Sequence, residues 1–80
     1  MTRSTAQVVA DVIADVLGLD EVDPADSFYD HDGTSLQALR ICARIESATG
    51  VALTPVDLLD NDVFGDFIAL VSARSAGDAG

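Results

Sequence analysis

Val8, Val9, Val12, Ile13, Val16 and Leu17 recur at intervals of three and four residues. Nowhere does the chain alternate apolar and polar residues in the period of two that a half-buried strand needs. That spacing places six side chains on one face of a helix, with Asp11 and Asp15 on its solvent side. Ser4 and Gln7 stand at capping-box separation at its start. Gly18 after the last apolar pair predicts a left-handed stop, with Leu19 folding back as the closing contact. The fold class expected is all-α.

Size and composition sharpen the expectation. Eighty residues make one small domain, and 49% hydrophobic against 22% charged residues is the balance of a chain with a core. One cysteine excludes an internal disulfide and one histidine a His-rich metal cage, so helix packing must hold the domain together. Fourteen acids against four arginines and no lysine give a net charge of −10, which disfavours nucleic acid and anionic membrane surfaces as partners. The longest apolar run, Phe67 to Val71, is too short to span a bilayer. No apolar signal core follows Met1-Thr2-Arg3-Ser4-Thr5, and with the free cysteine this points to the cytoplasm.

Three further helices are legible. Residues 19–33 have no helical period and contain the turn starter Asp23-Pro24, with five acids (Asp20, Glu21, Asp23, Asp26, Asp30) on the exterior. So long a loop in so small a domain is functional or disordered, and Phe28 and Tyr29 argue for order by pinning it to the core. Thr34 and Gln37 form a second capping box that makes Ser35 the first residue of a helix stopped by Gly50, with Leu36, Leu39, Cys42, Ala43 and Ile45 as its apolar side. Thr54-Pro55 opens a short third helix through Asp60. Asp62 is expected to cap a fourth, with Val63, Phe64, Phe67, Leu70 and Val71 buried. The ordered core is expected over about residues 5–73 of the single domain 1–80, with 74–80 a frayed tail.

Catalytic readings fail one by one. Gly33-Thr34-Ser35-Leu36-Gln37 resembles a nucleophile elbow, but Gln37 stands where the second glycine belongs and no sheet exists to hold the turn. Ser35, His31 and Asp30 lie within six residues of each other, with no evident pocket or oxyanion hole. Cys42 falls mid-helix on an apolar stripe, as a small core residue does. Neither Gly33 nor Gly65 completes an EF-hand loop, and His31 with Asp30 and Asp32 makes no specific metal site. No catalytic residue and no metal ligand is assigned. Ser35 at a helix N-terminus directly after a glycine and a long loop admits two readings, plain cap chemistry or a place for a phosphate.

The surrounding residues favour the second. Phe28-Tyr29-Asp30-His31-Asp32-Gly33-Thr34-Ser35-Leu36 resembles the attachment motif of phosphopantetheine-dependent carrier proteins, and the helix order over residues 5–73 is similar to that family's. Val51-Ala52-Leu53-Thr54-Pro55 and Leu58-Leu59-Asp60 resemble the approach to its third helix. The fold implied is a small four-helix bundle of the acyl-carrier type. Two positions depart from the motif: Asp32 replaces the first glycine of the usual pair, and His31 stands where leucine is frequent.

The resemblance implies a non-catalytic carrier. A phosphopantetheinyl transferase, using coenzyme A and magnesium, would attach 4′-phosphopantetheine to Ser35. Adenylation or acyl-loading enzymes, then condensing, tailoring or thioesterase enzymes, would be its further partners. Gly33, Thr34, Leu36, Gln37 and Arg40 are the residues expected to meet them, with Leu36 partly exposed and Leu39 mostly core. Thr34 before the serine, Ala38-Leu39-Arg40 after it, and Arg40 and Arg44 against a single Glu46 look more like a peptidyl carrier of nonribosomal peptide synthesis than an acyl carrier of polyketide or fatty-acid synthesis. A free-standing (type II) monomer is expected. The other class to weigh is an acidic helical interaction module with no prosthetic group, which explains charge and fold but gives no reason for Phe28, Tyr29 and Gly33 to frame Ser35.

Overall fold

The computed structural model describes residues 4–78, with side chains to Ser75. Four α-helices follow one another: α1 (Thr5–Leu17), α2 (Ser35–Thr49), α3 (Pro55–Asp60) and α4 (Phe64–Asp78). α1 packs against α2 and α4, and the short α3 packs against α2. The helix boundaries follow local chemistry. Ser4 accepts from the Gln7 amide to cap α1, and Gly18 and Gly50 close α1 and α2 at φ +72° and +77°. Pro55 stands at the first position of α3, where its missing N–H costs nothing.

The core is one cluster. Val9, Val12 and Ile13 of α1 meet Ala38, Ile41, Cys42 and Ile45 of α2, Leu58 of α3 and Phe64, Phe67 and Val71 of α4, with Phe28 and Val51 between the helices. Each large apolar side chain fully buried here contributes about 1.5–3 kcal/mol relative to exposure. Val63 and Leu70, expected in this core, are only half-buried.

The loop 18–34 is pinned to the core by only one of its two aromatics. Phe28 is fully buried, whereas Tyr29 is 55% exposed and touches Phe28 only edge-on. The main chain does the rest. Ser27 and Val63 form an isolated antiparallel bridge, and the Phe28 amide donates to the Asp62 carbonyl at 2.7 Å. The first two amides of α4, Phe64 and Gly65, donate to the carbonyls of Asp26 and Pro24, both at 2.9 Å. Asp62 is therefore not the cap of the fourth helix. That helix opens at Phe64, and loop carbonyls satisfy its otherwise orphaned amides.

α4 also runs further than expected, through Asp78 rather than Ala73. The residues just past Ala73 have tertiary partners: the Arg74 guanidinium meets both Asp57 carboxylate oxygens at 3.0 and 3.2 Å, and the hydroxyls of Ser75 and Thr5 lie 3.2 Å apart. These contacts reward helix where composition suggested a tail. Residues 79 and 80 of that expected tail lie outside the described residues.

Candidate functional site

Ser35 is the first residue of α2 and is exposed. Its placement follows from the residues beside it. Thr34 is extended (φ −109°, ψ 163°); its Oγ1 accepts from the Gln37 amide at 3.2 Å, and the Gln37 Oε1 accepts from the Thr34 amide at 3.0 Å. This reciprocal box occupies the Gln37 side chain and fixes the angle at which the chain enters the helix. Among the described residues, the Ser35 hydroxyl has no hydrogen-bond partner. It stands at the positive end of a fifteen-residue helix, where a negative substituent is stabilised.

Upstream, a single 3₁₀ turn (Tyr29–His31) ends at Asp32, which is left-handed at φ 56° and ψ 38°. This is the position at which the carrier-like motif ordinarily has its first glycine, and aspartate is among the few side chains that tolerate it. Ser27 and Asp30 brace the turn reciprocally, each side chain accepting from the other's amide. The His31 ring stacks on Phe64, with centroids 5.7 Å apart and planes at 22°, and its Nε2 lies 3.2 Å from the Asp26 carboxylate. His31 thus serves as a flat packing residue where leucine is frequent. Neither His31 nor Asp30 is oriented by the other, so these two make no general-base relay for the serine.

Leu36 is 58% exposed, as expected, but Leu39 is 52% exposed and is not core. The core stripe of α2 is Ala38, Ile41, Cys42 and Ile45. At about 100° per residue, Leu36, Leu39, Arg40 and Ala43 lie about 110–170° around the helix from that stripe. All four are exposed. The sequence signal was present: Ala38 and Ile41 complete the three-and-four spacing with Cys42 and Ile45, and Leu39 does not.

Cys42 is buried, and its thiol donates to the Thr54 carbonyl at 3.3 Å. Burial, and secondarily the Asp57 charge, push its pKa up to about 11, so it is no nucleophile at neutral pH. Among the described residues, no three His, Cys, Asp or Glu side chains gather to hold a metal ion, and no helix is long and apolar enough to cross a membrane.

With an exposed, unpaired serine hydroxyl at a long helix's N-terminus, the residues present fit a phosphate-linked group. Comparisons with known proteins identify the family. The family described as the phosphopantetheine attachment site matches residues 7–71. The chain is 47% identical over 45 residues to CymA of Salinispora arenicola, a probable non-canonical nonribosomal peptide synthetase; the match covers 56% of the chain and 1% of that protein. It is 40% identical over 73 residues to the phosphinothricin tripeptide synthetase PhsB of Streptomyces viridochromogenes, covering 89% of the chain and 6% of the synthetase. The chain therefore spans only a few per cent of the curated relatives it matches. Among solved structures, BlmI, a type II acyl carrier protein of Streptomyces verticillus involved in bleomycin biosynthesis, superposes with a TM-score of 0.79 at 28% identity, over 86% of this chain and 83% of that one. The chain belongs to the phosphopantetheine attachment-site family, whose members carry 4′-phosphopantetheine covalently.

Proposed function

We propose that the Ser35 Oγ is the atom modified, and that the chain is a non-catalytic carrier in nonribosomal peptide biosynthesis. The observation that carries this reading is the exposed, unpartnered Ser35 hydroxyl at the first position of α2, inside the matched segment. Once bound, the group supplies a thiol on a long arm that holds aminoacyl or acyl cargo as a thioester. The chain's own residues prepare its anchor. The Thr34–Gln37 box holds the serine at the helix end, and the amides of the first turn and the dipole favour the phosphodiester's charge. Ser27, Asp30, Phe28 and His31 keep the approaching loop from sampling other conformations. A small rigid body with one tethered arm raises the cargo's effective concentration at each enzyme it visits.

The partners on this reading are a phosphopantetheinyl transferase, an adenylation or other acyl-loading enzyme, and condensing, tailoring or thioesterase enzymes, all meeting the chain around Gly33, Thr34, Leu36, Gln37 and Arg40. The reading places the protein in the cytoplasm, where the Cys42 thiol stays reduced. The peptidyl branch is supported by the matched synthetases and by the two arginines of α2.

The test is intact mass after incubation with coenzyme A, magnesium and a broad-specificity phosphopantetheinyl transferase, with Ser35→Ala in parallel. A gain of one phosphopantetheine that the variant lacks is expected. No gain on a folded wild-type sample would remove Ser35 as the attachment site and favour the unmodified interaction module.

A further inference from the structure

α3 is six residues long and buries a single side chain, Leu58, whereas α1 and α2 bury four each. Its own shape is set locally. At one end the Asp57 carboxylate accepts from the Thr54 amide at 2.9 Å, and at the other the Asn61 side chain donates to the Asp57 carbonyl, also at 2.9 Å. Both bonds lie within residues 54–61, so they hold the segment helical whether or not it is docked on the bundle.

On either side of α3 the chain is fixed. Val51 is buried, the Asp62 carbonyl accepts from the Phe28 amide, and Val63 bridges to Ser27. Between those points, among the described residues, the hydrogen bonds from residues 52–61 to the rest of the molecule end on two side chains. The Cys42 thiol, a weak donor, reaches the Thr54 carbonyl. The Arg74 guanidinium grips both Asp57 carboxylate oxygens and also donates to the Ala52 carbonyl at 3.4 Å. The two-point charged contact is the stronger tie.

We infer that residues 54–61 form a lid that lifts as one piece, and that Arg74 is its latch. Lifting would take Leu58 out of the core cluster and strip Cys42 of its cover at Thr54. Cys42 follows Ser35 by seven residues, about two helical turns, so both stand on one side of α2. The lid therefore governs an apolar seam in line with Ser35, and the residue that governs the lid sits on another helix, towards the end of α4. Segments with few buried contacts open ahead of the whole fold, and α3 meets that description. The inference concerns the unmodified chain and stands whether or not Ser35 carries a group.

Cys42 is the chain's one cysteine and so reports the opening. The experiment labels the full, unmodified chain without urea, using 4,4′-dithiodipyridine, an uncharged reagent that the acidic body does not repel. Wild type, Arg74→Met and Ile13→Val are compared, with urea midpoints measured alongside. Arg74→Met keeps an apolar stem without the charge and is expected to label about fivefold faster, near the upper end for an exposed ion pair. Ile13→Val trims the buried face of α1, which packs against α2 and α4; it should lower the urea midpoint and leave the labelling rate unchanged. Raising salt to about 0.5 M should speed labelling of wild type but not of Arg74→Met. Equal rates in wild type and Arg74→Met overturn the inference, as does an equal response of the two to salt. If Ile13→Val speeds labelling in step with its loss of stability, only global unfolding bares Cys42 and there is no lid. A native wild type that labels as fast as the urea-unfolded chain overturns it too, by showing the thiol uncovered from the start.

Discussion

The Phe28 ring fills the space into which any side chain at Gly33 would project: a Cβ built there would lie 2.4 Å from the ring's Cε2 and Cζ. Phe28 is fully buried, so the ring has no solvent side to swing towards. The glycine two residues before Ser35 is thus required by the core beneath the loop.

Gly33→Ala is expected to destabilise the protein by about 1–3 kcal/mol, the range for overpacking a well-filled core. Urea unfolding followed by far-UV circular dichroism measures it. The cost should shrink in a Phe28→Leu background, since the two residues share one space. Equal costs in both backgrounds would show that the Phe28 ring is not the obstacle.

Asp32 holds a left-handed conformation without a glycine, at φ 56°. The strain of about 1–2 kcal/mol for an L-residue there is partly offset by the greater freedom a glycine would have when unfolded. Asp32→Gly is expected to raise the unfolding free energy by about 0.5–1 kcal/mol. Asp32→Val should lower it. An unchanged or lower midpoint for Asp32→Gly would mean that the aspartate earns its place by a contact beyond its backbone.

Why some of this was legible in the sequence and some was not has a physical basis. Ser4, Thr34, Gln37, Pro55 and the two helix-stopping glycines act on their own neighbours within a turn, so spacing alone locates them, and Ser35 with them. The carbonyls of Pro24 and Asp26 that receive the first amides of α4 carry no residue-type signature, because every residue has a carbonyl; Asp62 looked like a cap only because its side chain could be one. Leu39 and Tyr29 read as core in the sequence because they are large and mostly apolar. Which face a helix buries is decided by what packs against it, and α1 and α3 select Ala38 and Ile41 instead. The last turns of α4 were likewise invisible until Asp57 and Thr5 were brought beside Arg74 and Ser75.

The Arg74–Asp57 pair clasps the six-residue α3 onto the end of the bundle, and Asp57 also accepts from the Thr54 amide at 2.9 Å. These contacts, the Arg74 hydrogen bond first and the Thr54 amide next, hold the Asp57 carboxyl below its ordinary 3.8. A carboxyl whose pKa is lower folded than unfolded stabilises the fold above the unfolded value, and the stabilisation is lost as pH falls through the folded one. Urea midpoints measured between about pH 6 and about pH 3 should therefore fall less steeply in Arg74→Met than in wild type. Parallel curves would show that the exposed pair contributes nothing measurable, the common result for surface ion pairs.

Cys42 provides the opposite sign. Burial raises its thiol to about 11 from an ordinary 9.0, so the folded protein retains a proton that the unfolded chain releases. The associated stability is fully present below about 9 and is lost as pH rises towards about 11. In the unmodified protein at about pH 8, Cys42 should react with a disulfide reagent such as dithiobisnitrobenzoate only as fast as the fold opens. Adding urea to the unfolding midpoint should release the reaction. The consequence for a carrier is chemical selectivity: after modification, the arm's exposed thiol would be the one that reacts, and the body would contribute no competing nucleophile. A fast native-state reaction, unchanged by urea and abolished in Cys42→Ala, would show the thiol to be accessible and would remove that selectivity.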